Sequence, residues 1–314
     1  MYCKVSVTWE RGCKMDRKSD QKALLAAFFC NFFWGLSFMA SRIAMDTAPV
    51  TVLLSHRFLL AFLVMTILLL LRRAEFHLRG KSLLPLLLLG LMQPVIYFIG
   101  EQYGILHSTT IFSGVMISII PVAGILAAIP VLHEIPTARQ MFFILLSVGG
   151  VIGIGLMSKS SGSLDWIGVA GLLVAVSAAV IYTLLNRNIA GSYSAFERTY
   201  VMMAVGACIF TVLAAADVKG NPAEYLHSLS SPGYVLSLLY LGIFCSVICF
   251  FLSCYSLSML SVARATVFAN LTTTVSVLAG AIVLHEPLSR IGILCCILIL
   301  IGIYGVQQSA EKAE

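Results

Sequence analysis

One stretch of this chain reads nearly twice at a constant offset, and both copies lie in strongly apolar sequence. Tyr103, Leu126, Ala127, Val131, Leu132, His133, Glu134, Gly150 and Gly153 recur without a gap as Tyr255, Leu278, Ala279, Val283, Leu284, His285, Glu286, Gly302 and Gly305. Matches of Leu, Val and Ala alone would follow from composition, but the polar triplet Leu-His-Glu marks a duplication. If each copy holds five membrane helices, the odd number turns the second copy upside down in the bilayer relative to the first. Inverted repeats of this kind hold a solute near the midplane, between the halves. The expected fold is therefore an all-α integral membrane protein of two inverted five-helix repeats.

Hydrophobic residues make up 60% of the chain and charged residues 11%, with a mean hydropathy of +0.98. A water-soluble surface cannot be assembled from such a sequence. A span needs about 20 mostly apolar residues. Proline and glycine breaks, charge clusters and hydropathy together predict about ten spans, near 23–45, 50–71, 83–105, 109–132, 139–157, 166–186, 197–216, 233–256, 261–284 and 289–308. The chain divides into a basic segment 1–22, a first repeat 23–157, a second repeat 166–308 and a tail 309–314. Segment 1–22 carries Lys4, Arg11, Lys14, Arg17, Lys18 and Lys22 without an apolar core of its own, so it does not read as a cleavable signal peptide. Met15 is a second candidate start.

Basic residues set orientation. With the N-terminus in the cytoplasm, the inside loops hold the N-terminal cluster, Arg72, Arg73, Arg79, Lys81, Arg139, Arg187, Arg198, Arg264 and Lys312. Lys159, Lys219 and Arg290 fall outside, and Arg42 and Arg57 fall within or close to the first two spans. Both termini are thus expected in the cytoplasm, with the chain in the cell membrane. The net charge of +6 reads as a topology signal, and nucleic-acid binding, which needs a basic patch on a folded surface, is not indicated.

Most of the nine cysteines lie inside apolar spans, where the thiol acts as a small hydrophobe. No His or Cys partner completes a zinc-type spacing, so no metal site, disulfide framework or cofactor is expected.

Several short motifs share an order. Trp34-Gly35 and then Ser41-Arg42 mark the first span, Pro49 follows it, and Arg57-Phe58 lies in the second. Pro121 lies in the fourth span, Leu132-His133-Glu134 and Leu284-His285-Glu286-Pro287 close the fourth and ninth, and Gly149, Gly150, Gly153, Gly302 and Gly305 pattern the fifth and tenth. In this order and repetition the chain resembles ten-helix members of the drug/metabolite transporter superfamily, of the EamA type, over about residues 22–308. The resemblance implies a secondary transporter of amino acids, other metabolites or cationic drugs, commonly working in the export direction. One departure stands out: where the family usually has a second proline, in the ninth span, this chain has Thr273 within Asn270-Leu271-Thr272-Thr273-Thr274. Threonines can bond back to the preceding turn, whereas proline frees a carbonyl and permits a kink. The ninth span is therefore expected to bend less, or differently.

Charge inside a bilayer is expensive and rarely idle, which singles out Arg57 and Glu101. At 1.5 Å of rise per residue, Arg57 lies about 10 Å and Glu101 about 8 Å from the same outer surface. With Arg42 near the outer end of the first span, the three form a candidate cluster for charge and coupling. A carboxylate there can bind a substrate ammonium or a coupling proton, and the arginines a substrate carboxylate. The competing reading is a static Arg57–Glu101 pair that locks helices together. Glu101 has Ser253 as its repeat mate, so it serves one half alone.

Polar and aromatic groups that can line a cavity accompany these charges: Asn31, Trp34, Gln93, Tyr97, Gln102 and Tyr103 in the first half, and Tyr182, Asn186, Tyr240, Ser253, Tyr255, Asn270 and Thr273 in the second. Trp34, Tyr97 and Asn270 lead the set, which with Arg57, Gln93, Glu101, Tyr182 and Thr273 makes the expected substrate site. Pro94 interrupts the third span in mid-membrane, making that helix the candidate moving wall. Glu134 and Glu286 end spans on opposite faces and read as helix-end turns.

The expected function is secondary transport of a small organic solute, with a zwitterion meeting both signs of charge and a proton as the candidate coupling ion. No GxxxxGK[ST] loop occurs, so ATP does not drive it directly. Multidrug or organic-cation efflux is the alternative, followed by a channel or receptor. An intramembrane enzyme would require Ser113 to have a base and oxyanion donors, and no catalytic residue is assigned. Monomer and homodimer both stay open.

Overall fold

The protein is described by a computed structural model covering residues 17–71, 76–77, 80–107, 116–117, 119–157, 166–283 and 290–311. Its elements are helices separated by short connections, and the described residues contain no strand. Seven of these helices are long and apolar enough to cross a membrane, and Ile120–Leu132 and Ala138–Ile154 are shorter apolar helices. Helical backbone satisfies its own polar groups, which is what hydrocarbon demands of any segment inside it.

The first span, Arg17–Met45, starts earlier than expected, because Asp20 in its first turn is held by Arg264 and carries the helix into the basic segment. The second is Val50–Leu70. The third comes in three pieces: Leu84–Gly90, a π-helical Leu91–Ile96, and Tyr97–Leu106. Gln93 there has extended backbone, φ −142° and ψ 120°, before Pro94. Ile120–Leu132 forms the described part of the fourth span, followed by Ala138–Met157, Trp166–Asn188 and Ala195–Asp217 as the fifth, sixth and seventh. A short helix, Pro222–His227, which the apolar patterning does not announce, precedes the eighth span.

The eighth span repeats the construction of the third: Pro232–Leu239, a π-helical Tyr240–Ile248, then Cys249–Met259. The α-helical pieces that follow the two breaks begin at Tyr97 and Cys249, positions that correspond in the repeat. The ninth span is broken as well, into Val262–Thr266 and Ala269–Val283. Its bend falls at Val267 and Phe268, where Asn270 and Leu271 donate to the carbonyls three residues back, and so lies ahead of the threonines rather than at Thr273. Arg290–Glu311 is the tenth.

The packing graph is symmetric under exchange of the halves. The fifth span lies along the tenth and the second along the seventh; the third lies along the sixth as the eighth lies along the first; the first meets the ninth as the sixth meets the fourth. Repeat-related helices cross in opposite senses. In the second and seventh, Thr51 meets Asp217, Ser55 meets Thr211 and Thr66 meets Tyr200. In the fifth and tenth, Gly150 lies against Ile299 and Gly302 against Ser147. The second and seventh spans thus run antiparallel, and so do the fifth and tenth.

Close approach of the fifth and tenth spans depends on glycine. A Cβ on Gly302 would stand 2.6 Å from the Phe143 carbonyl oxygen and 2.9 Å from the Ser147 nitrogen, whereas one on Gly149 would meet nothing within 4 Å. Gly302→Ala is therefore expected to destabilise the protein by about 1–3 kcal/mol, the range for overpacking against groups that cannot yield, and Gly149→Ala by far less. Thermal unfolding in detergent checks the pair; equal melting temperatures would show that the seam is loose.

Candidate functional site

The second span is apolar except for Thr51, Ser55-His56-Arg57 and Thr66, and the three consecutive polar side chains are all buried. Arg57 is 5% exposed. Its Nε donates to Ser246 Oγ at 2.7 Å, and its guanidinium carbon lies 5.1 Å from the Phe98 ring centroid and 5.5 Å from that of Phe58. Aromatic faces attract a cation most where water is excluded. Among the described residues neither Nη group of Arg57 has a hydrogen-bond partner.

Glu101 is 8% exposed and shares a helical face with Phe98, three residues before it. One carboxylate oxygen accepts a 3.0 Å hydrogen bond from Tyr97 Oη, one turn away, and the Tyr97 ring stands edge-on to Phe98 at 5.4 Å. Arg57 and Glu101 lie within electrostatic reach of each other. They are nevertheless absent from the ion pairs among the described residues. A buried arginine and a buried carboxyl thus lie near one another without an ion pair among the described residues, and each keeps hydrogen-bonding capacity in reserve.

The far wall of this compartment is the π-helical segment of the eighth span, which sequence reasoning missed because it contains neither proline nor charge. Ser246 Oγ donates to Leu241 O, five residues back in the same turn, at 2.9 Å. Trp34 Nε1 donates to Cys245 O at 3.1 Å, and its ring meets Phe250 edge-to-face at 5.4 Å. Cys30 Sγ donates to Cys249 O, and Tyr240 Oη to Phe33 O. Trp34 and Arg57, from different helices, therefore converge on one irregular turn.

The remaining described candidates bond to partners of their own. Tyr182 Oη is 3.4 Å from Ser253 Oγ, and Asn186 Nδ2 donates to Cys254 Sγ. Asn186 also serves the buried Arg198, which binds its carbonyl and side-chain oxygens, the Cys254 carbonyl and Ser258 Oγ. Asn270 donates to Ser147 Oγ of the fifth span at 3.0 Å, and Thr272 Oγ1 to the Asn31 carbonyl at 3.2 Å. Gln93 is half-buried at the break of the third span and Thr273 half-buried on the ninth. The side chains of Arg42, Gln102 and Tyr103, the whole of Ser113, and Leu284-His285-Glu286-Pro287 lie outside the described residues.

Three ion pairs among the described residues tie one half to the other, all at the end where the first span begins. Lys81 pairs with Glu197, Glu134 with Arg187 and Asp20 with Arg264. Glu134 does more than end a helix. His133 takes the left-handed conformation, φ 55°, and lets the next carboxylate reach Arg187 Nε at 3.0 Å and the Val262 backbone N–H at 2.7 Å. At the opposite end the links are hydrogen bonds: His56 Nδ1 with Tyr234 Oη and Ser55 Oγ with Tyr225 Oη, both at 2.7 Å, and Thr51 Oγ1 to Asp217 Oδ2 at 2.6 Å. A cavity of about 530 Å³ opens there between Thr47, Pro49, Asn221, Glu224 and His227, and one of about 360 Å³ lies against Leu59, Phe62 and Leu63. Neither is lined by Arg57 or Glu101, and both of those side chains are buried.

Known proteins match this arrangement along its length. The model of the EamA-like transporter family matches residues 21–156 and again 166–307. The chain is 31% identical over 303 residues to the uncharacterized transporter YcxC of Bacillus subtilis (strain 168), covering 95% of this chain and 96% of that one. It is 25% identical over 272 residues to an uncharacterized transporter of Archaeoglobus fulgidus, covering 87% and 94% respectively. A solved chain described as "Crystal structure of protein" superposes with a TM-score of 0.76 at 17% identity, over 94% of this chain and 99% of that one. At that identity the likeness speaks for the fold alone.

Proposed function

This chain belongs to the EamA-like transporter family, and on that premise we propose that it exports a small zwitterionic solute, an amino acid or close relative, across the cell membrane. The observation that carries the reading is the unpaired coexistence of Arg57 and Glu101 in one buried compartment. A locked structural pair would have spent both charges on each other. Here a solute carboxylate can take the two free Nη groups of Arg57 in the bidentate geometry that guanidinium favours, and a solute ammonium can meet Glu101. Trp34, Tyr97 and Phe98 supply the aromatic wall typical of small-molecule sites. Gln93, Tyr182, Asn270, Thr273 and Arg42 complete the proposed set.

Burial of Arg57 and Glu101 is compatible with one stage of alternating access between inverted halves. The two halves then rock about the seams of the second with the seventh and the fifth with the tenth spans, and the ion-paired end faces the cytoplasm with both termini. Glu101 is also the group on which a coupling proton would ride, since ionisable residues inside a membrane commonly serve such relays.

Flux tests this reading. Purified protein in sealed liposomes is expected to take up components of a ¹⁴C-labelled amino-acid hydrolysate when a proton gradient is imposed, and to lose that uptake with a protonophore. The decarboxylated amine and the deaminated acid of the best component should each move at under about a tenth of its rate, since each lacks one charge-assisted contact. Faster movement of the amine would favour organic-cation efflux, and no flux of any component would sink the zwitterion reading.

A further inference from the structure

The pair Arg57-Phe58 sits between two broken helices. On one side Phe58 packs where a Cβ on Gly206 would be, 3.1 Å from its ring, and Pro94 of the third-span break lies 2.9 Å from the same point. On the other side Arg57 Nε is bonded to Ser246 within the eighth-span break. Ser246 and Pro94 correspond in the repeat, so the two breaks are counterparts that flank the Arg57-Phe58 pair, one beside Phe58 and the other bonded to Arg57.

Ser246 Oγ is fully buried and carries a single proton. That proton goes to Leu241 O, and the oxygen therefore meets Arg57 as an acceptor. A hydroxyl with both roles filled orients the guanidinium through its Nε, the one nitrogen on the stem side, and leaves the Nη edge uncommitted. We propose that Ser246 is a positioning residue: it aims Arg57 at the solute carboxylate and makes that aim depend on the π-helical turn of the eighth span. The proposal rests on Arg57 as a solute-binding residue. It gives the irregular turn a role in specificity, since straightening the turn would move the Ser246 hydroxyl and swing Arg57 off its target.

The test uses the intact protein in liposomes, with the amino acid that the wild type takes up best from a labelled hydrolysate and its decarboxylated amine as probes. Ser246→Ala is expected to raise KM for the amino acid about tenfold, the scale of one misdirected charge-assisted contact. Its maximal rate, protein yield and KM for the amine should stay within about threefold. Ser246→Thr, which keeps the hydroxyl, should restore the amino-acid KM to within about threefold. Equal losses for both probes, or a fall in yield shared by the alanine and threonine variants, would make Ser246 a helix-packing residue and overturn the proposal. An unchanged KM in Ser246→Ala would overturn it too. Arg57→Gln in the same vesicles separates the two levels: a raised KM there with a normal one in Ser246→Ala defeats the positioning role alone. A normal KM in Arg57→Gln, or no uptake by the wild type, defeats the solute-binding reading and the positioning role with it.

Discussion

Glu101→Gln is expected to cut gradient-driven transport by at least about 10- to 100-fold, the scale of one hydrogen bond to a charged group, while protein yield stays near normal. Glutamine keeps the shape and loses the charge. Tyr97 Oη, 3.0 Å from the carboxylate, can donate equally well to an amide oxygen, so the local hydrogen bond survives. Arg57 is not stranded, because its Nε is held by Ser246 and its charge by the rings of Phe98 and Phe58. Had the two formed a buried ion pair, removing one partner would have left an uncompensated charge and cost about 3–5 kcal/mol. Thermal unfolding and vesicle flux of the same preparation decide between the outcomes. Low yield rescued by adding Arg57→Gln would identify a structural pair after all. Normal transport with normal stability would leave Glu101 without either role.

The duplication was legible because Leu-His-Glu recurs at a fixed offset, and the family model matches the chain twice. Depth counting placed Arg57 and Glu101 at one level; in the structure Phe98, three residues before Glu101, has its ring centroid 5.1 Å from the Arg57 guanidinium carbon. What the sequence concealed was which face of each helix looks inward. Spans such as Val50–Leu70 are apolar around their whole circumference, so periodicity separates inside from lipid only weakly. Ser246 is one serine among several in the second half, and nothing local shows that its hydroxyl fills the Leu241 carbonyl and receives Arg57. Glu134 was visible as a motif, yet its partners, Arg187 and the Val262 N–H, lie 53 and 128 residues away. The bend of the ninth span fell at Val267-Phe268, where no glycine, proline or polar run signals a break.

Arg198 illustrates the same limit and carries the largest expected effect on stability. Its position at the head of the seventh span reads as an ordinary inside-loop cation, but the side chain is 1% exposed. Its guanidinium donates to the Asn186 carbonyl at 2.8 Å, the Cys254 carbonyl at 3.0 Å, the Asn186 side-chain oxygen, Ser258 Oγ, and more weakly the Ser194 carbonyl. These acceptors belong to the end of the sixth span, the cap of the seventh and the last turns of the eighth, so one planar fork holds three helices of the second half in register. No carboxylate balances it among the described ion pairs, and the gain comes from supplying donors to buried oxygens. Arg198→Met fills most of the volume and supplies none. Cys254 O keeps the Ser258 hydroxyl and Ser194 O the backbone N–H of residue 198, so the loss falls on the two Asn186 oxygens, and at about 1–3 kcal/mol for each buried unsatisfied acceptor stability should fall by at least about 2 kcal/mol. Arg198→Lys, a point charge without the fork, should fall between the two. Denaturant titration in detergent measures the series, and a methionine variant within about 0.5 kcal/mol of wild type, the range of an ordinary surface change, would show that these oxygens find other donors and that the register of the sixth, seventh and eighth spans is set elsewhere.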